Sequence, residues 1–248
     1  MNILLVYPES PDTFWGFKHA VKFISRKSSE IPLGLITVAG LLPQEWNLKL
    51  VDMNIRSLKK RDLEWADMVF LSGMNIHLRS FQWVVRQCNE MDVKVVAGGP
   101  LATMESGHLL GIDHLILNEA EITLPQFLAD LEKGCPKPIY QTDQFPDISL
   151  TPIPRWDLLE RGKYVSMNIQ YSRGCPFNCE FCNITTLNGR KPRTKSRQQF
   201  ITELDSIYNA GWRGSVFIVD DNFIGNRKKL KKEILPAMQN WAEEHNYP

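Results

Sequence analysis

Over residues 1–133, short apolar runs alternate with helix-length stretches, and that alternation limits the possible folds more than any other feature. The runs are NILLVYP, NLKLVDM, DMVFLSG, VKVVAGG and DHLIL, and four of them end near Gly, Pro, Asp or Asn. Short β-branched runs of this kind read as strands. Between them, LGLITVAGLL, LRSFQWVVRQCNEM and ITLPQFLADLEKG have helical length, and Thr123 is expected to cap the last and Gly134 to stop it. Five strands alternating with helices specify an α/β fold, a flavodoxin-like doubly wound parallel sheet whose ligand crevice lies at the strands' carboxyl ends.

Residues 134–160 carry five prolines and little periodicity, which reads as a semi-rigid connector between a first domain (1–133) and a second (161–248). In the second, YVSMNIQYS and SVFIVDD read as strands. SRQQFITELDSIYNAG reads as a helix with a Ser196–Gln199 capping box and a stop at Gly211. RKKLKKEILPAMQNWAEEH is a further helix, with a kink expected at Pro236. Two βα units do not close a barrel, so the second domain is expected to be cut short. An open sheet edge would expose unpaired backbone and apolar surface, so this chain alone is expected to be poorly soluble or inactive.

A chain of 248 residues, 43% hydrophobic and 23% charged, with net charge +1, has ordinary globular composition, and a charge so near neutral argues neither for nor against nucleic acid; no nucleic-acid partner is expected. Five cysteines are too few, and of the wrong parity, for a disulfide framework, which points to a reducing compartment. The start MNILLVYP lacks the basic head and cleavage site of a signal peptide, and the longest apolar run, IPLGLITVAGLLP, is too short to span a bilayer. A cytoplasmic protein is expected.

Three of the five cysteines fall within YSRGCPFNCEFCN, at the spacing C-x3-C-x2-C: Cys175, Cys179 and Cys182. Thiolates bind soft metals, and a short irregular loop can bring three of them to one centre. A structural zinc site normally takes four ligands, whereas a [4Fe–4S] cluster on three thiolates leaves one iron open. A zinc site completed from elsewhere and three unrelated buried thiols are the alternatives.

RGCPFNCEFC resembles the cluster motif of the radical S-adenosylmethionine (SAM) superfamily, including the aromatic Phe181 before its last cysteine. The resemblance implies the start of a partial (β/α)6 barrel after the first strand of the second domain. It also implies SAM chelated at the open iron, with Phe181 near the adenine. VDDNFIGN resembles the segment that contacts the methionine end of SAM, which assigns Asp220, Asp221 and Asn222 to that role. Read from the residues alone, Asp220 and Asp221 at a strand end accept from an ammonium group, or else form a solvated turn and helix cap. The basic run GRKPRTKSR, residues 189–197, favours an anionic substrate or the SAM carboxylate, or is a solvated loop.

In the first domain, the glycines at 98–99 permit close approach of a large ligand and Ser72 offers a hydroxyl, although small residues at strand ends also serve packing alone. The loops resemble those of cobalamin-binding domains. Where that family has D-x-H-x-x-G, this chain has Asp52-Met53-Asn54-Ile55-Arg56-Ser57, keeping the aspartate and lacking the cobalt-ligating histidine and the glycine. Ser72-Gly73-Met74 and Gly98-Gly99-Pro100 match the family's serine and glycine-pair positions, and NEAE, with Glu119, resembles its GEGE segment. The resemblance thus implies corrin contacts at Asp52, Asn54, Ser72, Gly73, Met74, Gly98, Gly99, Pro100 and Glu119. His77, His108 and His114 lack ligand spacing and are expected to be surface or packing residues. YPESPDTFWGFKHA and TPIPRWDLL suggest the subgroup that includes the hopanoid C-2 methylase.

The family so resembled is that of cobalamin-dependent radical SAM enzymes. It implies reductive cleavage of SAM at a [4Fe–4S] cluster to a 5′-deoxyadenosyl radical, with methyl transfer from cobalamin to an unactivated carbon. It further implies a small-molecule or lipid substrate, an electron donor such as flavodoxin or ferredoxin, and peripheral membrane contact if the substrate is a lipid. Radical cyclisation or rearrangement without methyl transfer is one alternative, and a non-enzymatic cobalamin sensor with a structural zinc is another.

Overall fold

The five apolar runs form β1 (Asn2–Tyr7), β2 (Asn47–Asp52), β3 (Met68–Ser72), β4 (Lys94–Gly98) and β5 (His114–Ile116) of one sheet. This computed structural model describes residues 1–13, 17 and 19–248. Part of the YPESPDTFWGFKHA segment, residues 14–16 and 18, therefore lies outside the described residues. All strands run parallel in the order β2-β1-β3-β4-β5-β6, where β6 (Ile139–Tyr140) is an edge strand within the proline-rich connector. Sequence patterning misses β6 because two residues cannot display an alternation.

Side chains alternate across the sheet as strand geometry requires. Leu4, Val6, Val69, Leu71 and Val95 pack under α2 (Lys60–Trp65), α3 (Leu78–Glu90) and α4 (Gly99–Glu105). Ile3, Leu5, Phe70, Val96 and Ile116 face α1 (Leu33–Ala39) and α5 (Ala120–Glu132). Register sets Tyr7 opposite Asp52, Val6 opposite Leu71 and Ser72 opposite Gly98, so these strands end at one rim. Helix α5 begins at Ala120, one turn earlier than expected. Thr123 is inside the helix, fully buried, and its hydroxyl donates to Leu117 O at 3.1 Å rather than capping the start. Gly134, at φ +72°, follows the helix end as expected.

The second unit pairs β7 (Met167–Ile169) with the parallel β10 (Val216–Ile218). Between them a short antiparallel stem, β8 (Ser172–Arg173) with β9 (Arg193–Thr194), carries the cysteine loop and α6 (Ile184–Leu187), and α7 (Arg197–Asn209) crosses back. Ser196 caps α7 by accepting from Gln199 N at 3.1 Å. The Gln199 side chain donates to Ile148 O and Thr151 O instead of closing the box, so it anchors the connector. The last helix runs as α8 (Arg227–Lys229), a π turn (Leu230–Ile234) and α9 (Leu235–Glu244). The π turn stands just ahead of Pro236 and accommodates its missing N–H, where a kink was expected.

The two units share apolar packing. Ile31, Ile36 and Ile55 of the first cluster with Trp156 and Leu159 of the connector and with Met167, Ile169, Tyr171 and Phe200 of the second. The connector is bonded as well as packed, with Arg155 N donating to Ile36 O at 3.0 Å. Among the described residues no helix is long and apolar enough to cross a membrane.

Candidate functional site

Two cavities open along the carboxyl rim of the large sheet. The first, about 310 Å³, lies on the α1/α5 face and is walled by Phe70, Ser72, Val96, Gly98, Gly99 and Pro100. Its far side is formed by Glu119 and Glu121, and by Gln170, Arg173 and Asn188 of the second unit. Gly99 has φ +81°, and a Cβ there would lie 2.3 Å from Ser72 Oγ, so glycine lets the backbone pack this close to Ser72 at the cavity wall. The second cavity, about 610 Å³, lies beside β1 and β3 and is lined by Tyr7, Ser10, Asn54, Met74, His77 and, from the second unit, Lys163, among others. Ser72 and Met74 belong to different cavities, so the loop after β3 separates the two.

Asp52 and Asn54 are committed to internal bonds. Asp52 Oδ1 accepts from Asn54 N at 2.9 Å and Asn54 Nδ2 at 2.8 Å, while Oδ2 accepts from the Tyr164 hydroxyl at 2.9 Å. Burial raises the Asp52 pKa, and these hydrogen bonds only partly oppose it. Asn54 Oδ1 accepts from Ser10 N, and its Nδ2 also reaches Pro8 O. His77 is buried and packs edge-on against Tyr7; Nδ1 accepts from Met74 N, so Nε2 carries the proton toward Ser10 Oγ at 3.0 Å. Burial lowers its pKa, in keeping with a neutral packing histidine.

The cysteine loop leaves β8 through Gly174, at φ +92°. A Cβ there would meet Lys191 O at 2.7 Å and Asn188 O at 2.9 Å, which is a steric reason for glycine before Cys175. Cys175 N donates to Gly189 O and Cys182 N to Cys179 O, both at 3.1 Å. Cys179 is exposed, Cys175 and Cys182 are half-buried, and the Phe181 ring is 94% exposed at the loop's mouth. Among the described residues, no group of three or more His, Cys, Asp or Glu is arranged to hold a metal ion.

The VDDN segment faces this loop, but its carboxylates already have partners. Asp220 accepts from Tyr171 N at 2.6 Å and Ser172 Oγ at 2.5 Å. Asp221 Oδ2 accepts from Gly174 N and Asn188 Nδ2, both at 2.8 Å. Neither is a solvated cap; together they fasten the two ends of the cysteine loop. Burial raises the Asp220 pKa, against the lowering by these bonds. Asn222 Nδ2 lies 3.7 Å from Cys175 Sγ.

Arg173 and Arg193 were not singled out from the sequence, yet both are central. Arg173 Nη1 meets Glu119 Oε2 at 2.8 Å and Glu121 Oε1 at 2.9 Å. Arg193 grips Glu119 with both nitrogens, Nη2 to Oε1 at 2.6 Å and Nη1 to Oε2 at 3.1 Å. Burial alone would lower the Arg173 pKa, but the two carboxylates more than offset it. Within GRKPRTKSR, then, Arg193 turns inward to a carboxylate of the chain itself. So does Lys195, buried against Glu203, whereas Arg190, Lys191 and Arg197 are exposed. The available signal was charge pairing: an acidic NEAE in one unit and inward arginines beside the cysteines in the other.

The structure thus brings Ser72, Gly98, Gly99, Pro100 and Glu119 to one cavity and Asn54 and Met74 to the other, and gathers Asn222 with Cys175. Gly73 lies between them, where a Cβ would press on His77. The B12 binding domain family matches residues 21–128. An uncharacterized methyltransferase of Synechocystis sp. is 48% identical over all of this chain and 46% of its own length. The hopanoid C-2 methylase of Rhodopseudomonas palustris is 38% identical over 99% of this chain and 47% of its own. The chain therefore spans about half the length of these relatives. Among solved structures, the cobalamin-dependent S-adenosylmethionine radical enzyme OxsB superposes with TM-score 0.66 and 17% identity, covering 96% of this chain and 37% of its own. The radical S-adenosylmethionine methyltransferase TsrM of Kitasatospora setae gives 0.65 and 14%, over 100% and 53%. At these identities the likeness is one of fold.

Proposed function

The chain carries a B12-binding domain and is homologous to the hopanoid C-2 methylase, and from that premise we propose that it supplies the cofactor-holding half of a cobalamin-dependent radical SAM enzyme that methylates an unactivated carbon. The observation that carries this reading is an adjacency. Arg173 ends one wall of the glycine-lined cavity and stands two residues before Cys175. Two cofactors held by these elements would face each other across the junction of the units.

The residues present fit such groups. The Gly98–Gly99 backbone and Ser72 line the smaller cavity, and Gly99, at positive φ and against Ser72 Oγ, leaves no room for a side chain there. A ligand divided between two cavities, of about 310 and 610 Å³, has the size range of a large cofactor with a tail. Asn54 stands where the family's histidine would be, and its bonded amide offers cobalt no nitrogen ligand. Cys175, Cys179 and Cys182 would each hold one iron of a cubic cluster, which needs one thiolate per iron and an open fourth position rather than three thiolates on one ion. When bound, the cluster supplies the electron that cleaves SAM to a 5′-deoxyadenosyl radical, and cobalamin supplies the methyl group. Phe181, exposed at the loop's mouth, would stack on a flat ring, and Asn222, whose Nδ2 lies 3.7 Å from Cys175 Sγ, would donate toward the cluster edge. A small-molecule or lipid substrate and a flavodoxin- or ferredoxin-type electron donor complete the proposal.

The test is anaerobic reconstitution with iron and sulfide, with hydroxocobalamin binding followed by its visible spectrum. About four irons and four sulfides per chain, lost in Cys179→Ala, are expected. Zinc without sulfide would overturn the radical chemistry and favour a sensor.

A further inference from the structure

Arg173 and Arg193 are direct cross-strand partners in the two-residue stem that carries the cysteine loop. Like charges facing each other in this way destabilise a strand pair, and a stem this short has few hydrogen bonds with which to oppose the repulsion. Both guanidinium groups are largely withdrawn from water, which makes an unpaired charge costlier still. Glu119 resolves the conflict. Its two oxygens lie between the arginines, taking Arg193 in a two-point grip and Arg173 at one point. Glu121, held by Thr151 Oγ1 at 2.6 Å, takes a second contact with Arg173. Arg193 also donates to Pro146 O at 2.8 Å and to Asn188 O at 3.0 Å, so the same side chain tethers the connector and the return arm of the loop.

We propose that Glu119 is a positioning residue that closes the stem of the cysteine loop from the first unit, so that the loop holds its shape only while the two units are docked. Its carboxylate is also part of the wall of the smaller cavity, and the stem and the cavity wall thereby share Glu119 and Arg173. As a statement about cluster placement the proposal rests on the reading given above. As a statement about the loop it stands without any metal.

The first measurement therefore uses the full, metal-free chain. Trypsin cleavage after the exposed Arg190 reports opening of the loop, since the following Lys191–Pro192 bond resists the enzyme. Glu119→Gln and Arg193→Met are each expected to speed that cleavage by about tenfold or more, as breaking a buried pair does. The double variant should cleave no faster than the faster single one, and Arg193→Lys should restore part of the protection. Cleavage outside the loop and its stem should be unchanged. Unchanged cleavage at Arg190, multiplied effects in the double variant, or equal acceleration at every tryptic site would each overturn the proposal. In the reconstituted chain the same variants should release iron faster to a chelator and shift the electron paramagnetic resonance spectrum of the reduced cluster. If wild type takes up no iron and sulfide, the cofactor reading falls, while the cleavage results still decide the role of Glu119.

Discussion

At the scale of single residues, the cysteines are served by neighbours that shape their loop. Gly174 turns the chain where a side chain would strike two carbonyls, and Asp220 and Asp221 hold backbone and side-chain donors at the loop's base. Gly174→Ala should cost about 1–3 kcal/mol of local strain, read as a lower unfolding midpoint together with reduced iron retention after reconstitution. An unchanged midpoint and full iron content would mean that the loop can relax around a Cβ. Asp52 illustrates a different reassignment. The family's motif aspartate is kept, but here it bonds Asn54 on one side and Tyr164 of the other unit on the other. The spacing of the motif was readable; the partner was not.

At the scale of elements, local patterns translated well where a whole strand or helix was concerned. Five apolar runs became five strands, and Gly134 and Gly211 follow their helices at positive φ. Where an end depended on a side chain's choice between partners, local reading fell short. Thr123 turned inward and Gln199 reached for the connector. The edge of the smaller sheet is the element with the clearest consequence. Among the described residues β10 pairs only with β7, and Phe217 on it is 56% exposed. An open edge bearing an exposed aromatic invites strand addition, and a lysine there opposes it. Phe217→Lys should shift the isolated chain toward monomer in sedimentation velocity at matched concentration. Identical profiles for the two proteins would show that this edge is not adhesive.

At the scale of the whole molecule, apolar packing and many polar contacts bind the units together, and two of those links can be tested directly. Tyr164→Phe removes a hydrogen bond to a buried carboxylate and should cost about 1.5–3 kcal/mol in urea unfolding, because Asp52 remains buried with one partner fewer. Glu121 makes the other link sensitive to pH. Burial pushes its pKa up, but Arg173 and the Thr151 hydrogen bond more than offset this, leaving it below the ordinary 4.5. As pH falls through that window the unfolded chain takes up the proton first, so this part of the stability, fully present above 4.5, is lost toward acid. Glu121→Gln should flatten the acid limb of a plot of urea midpoint against pH; a limb as steep as that of wild type would mean that other carboxylates set it. The sequence by itself determined the parallel sheet, the crevice glycines and the three-cysteine loop, because periodicity and ligand spacing are written within a few neighbouring positions. Only the tertiary structure decided that Glu119 meets Arg193, 74 positions away, and that Asp52 meets Tyr164, 112 positions away. Those encounters depend on strand order and on how two units dock, and a buried charge takes whichever partner that docking brings within reach.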